Sequence, residues 1–444
     1  MTSVACLADP AALRSSNADR RVRLFGRRRD VPDAAATGAR LYDQMRRLEG
    51  TISPKAFDFL SIALSAVTAD VFVPRASSAN GFSRAIELTT SVQDPAFWKA
   101  QASDLEEALN FLTGDRWEMT FVGEGRSAPT AASRKGLRQR TKLLDSNCVC
   151  LFSGGLDSLL GAIDLIEDAN RSPFLVSRES TGDKMYQTNL RALLPSRPHL
   201  GANDAPQGPE GQYGAYPRED TTRARSLLFL AMGVCVASAI AERNGLLSAA
   251  GQVPLYIPEN GFIALNPPLS PRRVGALSTR TAHPEFLSGI QRILDAGSIP
   301  VTIENPFRHK TKGEMLRGNS NAPLARSLAS NTVSCGRWKR KRMQCGHCVP
   351  CLIRRAAFHA SNVTDGTQYW LGDLKQVMNK PDRRADLLSV IYAIRRSRTE
   401  SIARWVIRAG TLPINSNERA QLLQVVERGR DELAVFIRSQ GVAA

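Results

Sequence analysis

Two clusters in the sequence carry residue types and spacings suited to chemistry. The first is Ser153-Gly154-Gly155-Leu156-Asp157-Ser158, which directly follows the apolar run Cys148-Val149-Cys150-Leu151-Phe152 and precedes a helical pattern at Leu159, Leu160, Ile163 and Ile166. A glycine turn between a buried strand and a helix points backbone N–H groups and the positive helix end outward, an arrangement that holds a polyphosphate. Gly154 and Gly155 let the backbone approach the phosphates, Ser153 and Ser158 add hydroxyl donors, and Asp157 can cap the helix or help place a divalent ion. The turn is not a Walker A loop, which needs four residues between its glycines and a following lysine. An ordinary glycine-rich turn is the plain alternative, but a match of this length arises by chance about once per thousand sequences of this size. The strand-to-helix context adds to that rarity, and nucleotide binding is the reading it supports.

The second cluster is Cys335, Cys345, Cys348 and Cys351, spaced C-x9-C-x2-C-x2-C. The two tight steps fit a tetrahedral zinc–thiolate site with bonds of about 2.3 Å. Four cysteine ligands leave no open position for a substrate, so the expected role is to pin the chain. An iron–sulfur cluster takes the same thiolates and stays open as an alternative. His347 sits among the ligands and is read as a non-ligand. Arg337, Lys339, Arg340, Lys341, Arg342, Arg354 and Arg355 flank the site and are expected to offset the thiolate charge. The other four cysteines are scattered, which argues for a metal rather than a disulfide framework and for a cytoplasmic protein.

Three regions are expected to position these clusters. In residues 1–140, a small α+β domain and a basic linker, the first forty residues show no clear period and are expected to be weakly ordered, with Arg27-Arg28-Arg29 as a solvated face. Phe57, Leu60, Ile62, Leu64 and Val67 predict a buried helix, and Ala85–Val92 and Trp117–Val122 predict strands. Between the strands, Asp94 and Pro95 start a helix whose Trp98, Leu105, Leu109 and Leu112 form one apolar face before Gly114 ends it. Residues 141–362 hold both clusters, with Phe174–Ser177 as a second parallel strand, Arg225–Ile240 as a helix, and further strands within Leu246–Ile257 and Val301–Glu304. Residues 195–220 carry five prolines and four glycines and predict a long exposed loop. In residues 363–444, Leu387, Leu388, Ile391 and Ile394, then Leu422, Leu423, Val426, Leu433 and Ile437, have helical spacing. Arg395, Arg396, Arg398, Arg404 and Arg408 make this a basic helical tail.

With 444 residues, 43% hydrophobic and 23% charged, the chain is too apolar for disorder and long enough for two or three domains. Its 59 Lys and Arg against 42 Asp and Glu give +17, a field that attracts phosphates, nucleic acid or acidic proteins without choosing among them. The longest apolar run, Leu227 to Ala241, is shorter than the roughly 20 residues of a membrane span and ends on Glu242 and Arg243. It is read as a buried helix, and no membrane partner is expected.

At these residues the chain resembles the 7-cyano-7-deazaguanine synthases, the QueC family of PP-loop ATP pyrophosphatases, over about residues 147–360. The strongest matches are Ser153 to Ser158 and Ser334-Cys335 with Cys345-Gly346-His347-Cys348-Val349-Pro350-Cys351-Leu352-Ile353-Arg354 and Ala357-Phe358. Weaker matches are Ala224-Arg225 through Phe229-Leu230, Pro284-Glu285-Phe286, Asn305-Pro306-Phe307 and Lys312-Gly313-Glu314. The resemblance implies an α/β, adenine nucleotide alpha hydrolase-like parallel sheet with a zinc-bound segment, using ATP, Mg²⁺ and Zn²⁺. It implies that residues 153–158 hold the ATP phosphates and that Lys312, Arg225 and Asp157 serve catalysis, the two cations by neutralising the leaving pyrophosphate. In that family ATP activates the carboxylate of 7-carboxy-7-deazaguanine as an acyl-adenylate, ammonia makes the amide, and further ATP-driven dehydration gives the nitrile.

Where those synthases have a Tyr-Pro-Asp-Cys-Arg run, this chain reads Thr279-Arg280-Thr281-Ala282-His283, without the acidic side chain suited to a guanine-like edge. His283 and His309 are read as structural. The longer layout is similar to the QueC-like component of Qat anti-phage defence systems, which implies the same adenylation chemistry with an amine of a partner protein in place of ammonia. Two other readings compete: a non-enzymatic nucleic-acid-binding zinc protein, and a PP-loop enzyme that modifies tRNA.

Overall fold

The computed structural model describes residues 1–443 except 131–138, 180–181, 204, 210–215, 247–250, 271–279 and 339–341. Among the described residues, ten strands form two five-stranded sheets in which every pairing is parallel. The first sheet has the order β3-β2-β1-β4-β5, with β1 Thr2–Leu7, β2 Arg20–Gly26, β3 Ala35–Gly38, β4 Ala85–Ser91 and β5 Arg116–Val122. The second has the order β10-β9-β6-β7-β8, with β6 Cys148–Leu151, β7 Pro173–Arg178, β8 His199–Ala202, β9 Val253–Tyr256 and β10 Val301–Glu304.

Two segments differ from the sequence reading. The first forty residues, expected to be weakly ordered, contain β1, β2 and β3, with Val4, Cys6, Val22, Leu24 and Phe25 buried. β1 and β3 are mostly buried and show no alternation, whereas β2 alternates only briefly, at Arg21-Val22-Arg23-Leu24, among arginines that read as a surface. Residues 195–220, expected as an exposed loop, contain the edge strand β8. Gln207 then exchanges backbone hydrogen bonds of 2.8 and 2.9 Å with Ala36, tying the segment after β8 to β3 of the other sheet.

The two sheets share a helical layer. Helix Pro54–Phe72 covers the first sheet and helix Arg225–Arg243 covers β6 and β9. The helices lie against each other, with the Ser53 N–H donating to Ser238 Oγ at 3.0 Å and the Cys235 thiol to the Ala56 carbonyl at 3.4 Å. Both are buried along nearly their whole length; Arg225–Arg243 is apolar between its charged ends, and the polar side chains of Pro54–Phe72 are buried with partners, Ser65 bonding to Thr90 at 2.7 Å and Asp58 accepting from Trp98 Nε1 at 3.0 Å. One hydrophobic core therefore runs through both sheets.

Hydrogen bonding also explains the helix expected from Asp94 to Gly114. Its caps are present, with Asp94 accepting from the Phe97 N–H at 3.1 Å and Gly114 in the left-handed region. It is divided at Gln101 into Pro95–Ala100 and Ala102–Thr113, where the Gln101 N–H is shared between the Phe97 and Trp98 carbonyls.

A buried ionic network sits where β4 and β5 begin. Arg75 pairs with Asp115 at 2.8 Å and with Asp70 at 3.2 Å, and Arg84 pairs with both carboxylates. Asp70 also accepts from the Ala224 N–H at 2.8 Å, which anchors the start of helix Arg225–Arg243. Burial pushes the Asp115 carboxyl up, but the Arg84 and Arg75 guanidiniums outweigh it and hold the group below the usual carboxylate range. Arg84→Met strands two buried carboxylates on one remaining cation. It should lower unfolding free energy by about 3–5 kcal/mol, read as a fall in the urea midpoint; an unchanged midpoint rejects the network as a stabilising element.

The C-terminal helices Ala385–Ser397 and Ser416–Ser439 pack with helix Val349–Ala360 into a second core containing Leu387, Ile394, Leu422, Val426, Leu433 and Ile437. Leu388, assigned by spacing to the apolar face, is exposed.

Candidate nucleotide site and metal centre

The order of the second sheet makes β6 the strand at which connections change direction, with β7 on one side and β9 on the other. Ligands of open parallel sheets bind beyond the carboxyl ends of strands at such a point. The turn Ser153–Gly155 lies there and opens helix Leu156–Glu167. Phe152 and its neighbours fix the entry: the Phe152 N–H donates to the Val176 carbonyl at 2.7 Å, and the Ser177 hydroxyl donates to the Phe152 carbonyl at 2.7 Å. Gly154 has φ +82°, and a Cβ there would lie 2.7 Å from a ring carbon of Tyr186, so conformation and space both demand glycine. Gln187 Nε2 donates to the Ser153 carbonyl at 2.9 Å, making helix Lys184–Ala192 the floor of the turn. Ser153 Oγ and Ser158 Oγ are 3.1 Å apart and close the turn on itself. The N–H groups of the helix's first turn have no intrahelical partner and are available to phosphate oxygens.

Asp157, in that first turn, is buried and faces Lys312, Asn260 and Glu259. Lys312 Nζ lies 2.6 Å from Asp157 Oδ1, and Asn260 Nδ2 donates to Oδ2 at 2.7 Å. Burial alone would raise the Asp157 carboxyl, but the Lys312 charge and the surrounding donors hold it below its ordinary range. Lys312 begins helix Lys312–Arg317, whose capping box joins Thr311 and Glu314: the Glu314 N–H donates to Thr311 Oγ1 at 3.1 Å, and the Thr311 N–H to Glu314 Oε2 at 2.8 Å. The structure thus brings Ser153, Gly154, Gly155, Leu156, Asp157, Ser158 and Lys312 together. Arg225 is not joined to them: it is exposed, and its side chain makes no hydrogen bond or ion pair among the described residues. An apolar run with a leading arginine fixes where a helix starts, not where the arginine reaches.

Asn260 escaped the sequence reading. It follows β9, caps the short helix Gly261–Ala264 by accepting from the Ile263 N–H at 2.9 Å, and is fully buried. The run Pro258-Glu259-Asn260-Gly261 after a strand was its only local signal. His283 is structural, as expected: its Nδ1 accepts from the Glu285 N–H at 3.2 Å at the start of helix Pro284–Ala296, and burial pushes its imidazole down to about 3.

The C-terminal helix reaches this site. Arg428 Nε pairs with Glu314 at 2.6 Å and its Nη2 donates to the His309 carbonyl at 2.9 Å, while Thr311 donates its hydroxyl to Glu432 one helical turn further on. Burial pushes the Glu432 carboxyl up to about 7, against the opposing Thr311 and Gly313 hydrogen bonds. The fold thus binds this proton more tightly than the unfolded chain does, so the stability it contributes is present at acid pH and is lost as pH rises toward 7. Glu432→Gln keeps an acceptor and removes the titration. Its melting temperature relative to the parent should climb between pH 5 and 8, by the equivalent of about 2 kcal/mol; a constant difference across that range rejects the assignment.

The four cysteines converge. The Sγ atoms of Cys335, Cys345, Cys348 and Cys351 lie within 4.8 Å of one another, all buried. The Cys345–Cys351 and Cys348–Cys335 sulfur pairs are each 3.9 Å apart, close to the edge of about 3.8 Å of a tetrahedron with bonds near 2.3 Å. Backbone N–H groups of Arg337 and Cys345 point at Cys335 Sγ, and that of Cys348 at Cys345 Sγ, each at 3.3 Å. The donor set fits zinc. His347 is no ligand: its Nδ1 is 2.9 Å from the Cys345 carbonyl and its Nε2 is 3.1 Å from Arg337.

The expected charge compensation takes a different form. Arg337 pairs with Asp386 at 3.0 Å, Arg354 donates to the Ala329 carbonyl and Thr367, and Arg355 donates to the Gly346 carbonyl. These guanidiniums brace the polypeptide, and the peptide N–H groups meet the sulfurs. Lys339, Arg340 and Lys341 lie outside the described residues. The braced chain touches the turn, since the Val333 N–H donates to the Gly154 carbonyl at 3.2 Å and Trp338 packs edge-on against Tyr186.

No solved structure matches the chain. Residues 281–362 match the family described as "Queuosine biosynthesis protein QueC". Curated relatives are 7-cyano-7-deazaguanine synthases. That of Syntrophobacter fumaroxidans is 27% identical over 94 residues, 20% of this chain and 39% of that protein. That of Paracoccus denitrificans is 32% identical over 92 residues, 20% and 36% respectively. That of a Ruegeria species is 29% identical over 168 residues, 36% and 59%. The chain thus spans less than two thirds of the length of each of these relatives. The family match includes Lys312 and all four cysteines, and stops short of the glycine turn. Residues 281–362 are thus QueC-like, and the two parallel sheets with the four-cysteine cluster give the chain an α/β fold of the PP-loop type.

Proposed function

We propose that the protein uses ATP to adenylate the carboxylate of a 7-deazaguanine-type acid and thereby opens it to attack by an amine. The observation that carries this reading is the buried Asp157–Lys312 pair beside the glycine turn after β6. A carboxylate oxygen of the substrate attacks the α-phosphorus of ATP, the bond to the bridging oxygen breaks, and pyrophosphate leaves. Backbone N–H groups of the turn, Ser153 and Ser158 hold the phosphates, and Lys312 meets the developing charge of the leaving group. Asp157 would help hold Mg²⁺, which when bound would offset phosphate charge. The amine then attacks the acyl carbon and AMP departs. Positioning and charge stabilisation supply most of the acceleration in such chemistry, so no acid–base triad is required.

On this reading residues 141–362 are the catalytic unit, and residues 1–140 and 363–444 are additions that serve a cytoplasmic, partner-dependent role in anti-phage defence. The acceptor is ammonia or an amine of a partner protein. Intact-mass measurement after incubating the enzyme with ATP and 7-carboxy-7-deazaguanine, with ammonia or with candidate partners, separates the outcomes. A mass gain on a partner supports conjugation, and free amide or nitrile alone supports a synthase. No carboxylate-dependent pyrophosphate under any condition overturns the reading.

A further inference from the structure

The carboxyl ends of β2 and β3 open into a cavity of about 690 Å³ whose lining shares no residue with the glycine turn. Five arginines line it, Arg27, Arg28, Arg29, Arg40 and Arg218, against one carboxylate, Asp43, which faces Arg46 at 3.5 Å. Among the described residues, Arg27, Arg28, Arg29 and Arg40 make no ion pair. Like charges gathered on one concavity repel unless an anion sits among them. The run Arg27-Arg28-Arg29, read from sequence as a solvated face, is thus one wall of a cationic hollow.

The backbone is shaped to this hollow. β2 ends in a bulge between Leu24 and Gly26, with Phe25 at φ +55°, a costly conformation for an aromatic residue that recurs at binding sites. Gly38, at φ +83°, turns β3 directly into helix Ala39–Arg47, so that the start of the helix contributes Gly38, Ala39 and Arg40 to the lining. A Cβ on Gly38 would lie 2.5 Å from Leu64, so the turn is fixed against the shared helical layer. The opposite wall is the segment after β8, held by the Ala36–Gln207 backbone pair and by Arg218 donating to the Pro206 carbonyl at 2.9 Å. The site therefore exists only because the two sheets meet.

We propose that this cavity binds the di- or triphosphate group of a small molecule, at a site separate from the glycine turn. Guanidinium forks match phosphate oxygens two at a time, the volume lies in the range of small-molecule pockets, and carboxyl ends of parallel strands are where such sheets take ligands. The lining contains no aromatic side chain on which the bases of a single strand would stack, so recognition falls on the phosphates.

Calorimetric titration of the full chain with inorganic tripolyphosphate tests this. Binding should persist in Asp157→Asn/Lys312→Met, which takes the lysine charge away from the glycine turn without leaving a buried charge unpaired, and should weaken about tenfold or more in Arg28→Ala/Arg40→Ala. The melting temperature of the free arginine variant should equal the parent's. If the double variant melts lower, Arg40→Lys, which keeps the charge and loses the fork, should still weaken tripolyphosphate while leaving the fold intact. Equal affinity in parent and arginine variants overturns the proposal. So does a single-stranded oligonucleotide that binds more tightly than tripolyphosphate and is lost in the same variants, because the arginines then serve a nucleic-acid surface.

Discussion

Lys312→Met should lower carboxylate-dependent pyrophosphate release by about a hundredfold to a thousandfold, the usual cost of removing one preorganised charge-stabilising donor. The same change leaves Asp157 buried with no cation beside it, its remaining partners being Asn260 and Glu259, so the fold should also lose about 3–5 kcal/mol. These two effects separate in the double variant Asp157→Asn/Lys312→Met, which carries no buried charge at this position. The double variant should recover most of the melting temperature and none of the turnover. Lys312→Met turning over at the parental rate would remove Lys312 from the mechanism. Recovery of turnover along with stability would make the pair structural. Because Lys312 holds the Asp157 carboxyl below its ordinary range, the pair's stabilisation is present above that range and is lost only as pH falls below it. The ion pair should therefore impose no change in rate between pH 6 and 8.

Removing the metal should have an effect of similar size by a different route. Zinc binding to such sites amounts to about 10–16 kcal/mol, against about 5–15 kcal/mol for the stability of a whole domain. The segment that reaches the glycine turn through Val333 is tied to the cysteines by Gln344, whose side chain bonds to the Thr332 carbonyl and the Ser334 N–H, both at 3.0 Å. Chelation, or Cys351→Ser, should free this segment and abolish ATP retention while helix Arg225–Arg243 and the first sheet remain folded. Metal analysis should find one zinc per chain in a colourless protein. Visible absorption with iron in place of zinc would reassign the metal. Unchanged nucleotide affinity after complete metal removal would disconnect the two sites.

Legibility followed sequence distance. The strand, turn and helix from Cys148 to Glu167 were readable because each signal lies within a few residues of the next, and the four cysteines were readable because tetrahedral ligation restricts spacing. Lys312 stood out only through resemblance, since a lysine beginning a short helix carries no mark of burial; its partner lies 155 positions earlier in the chain. Asn260 and Glu432 act on Asp157 and Thr311 across similar distances, and nothing local announces them. The early strands β1 and β3 were missed for the opposite reason, since burial along most of their length erases the alternation on which strand recognition depends; β2 does alternate, but for only four residues in an arginine-rich stretch.

The helical layer between the sheets has a consequence for how the chain is made. Helix Pro54–Phe72 leaves the ribosome about 150 residues before its companion Arg225–Arg243 begins. At about 5–20 residues per second the nascent protein waits roughly 8–30 s with one greasy flank bare. Over that interval the half-finished chain is a client for chaperones, and mutations that slow its rescue would lower yield without touching the finished protein.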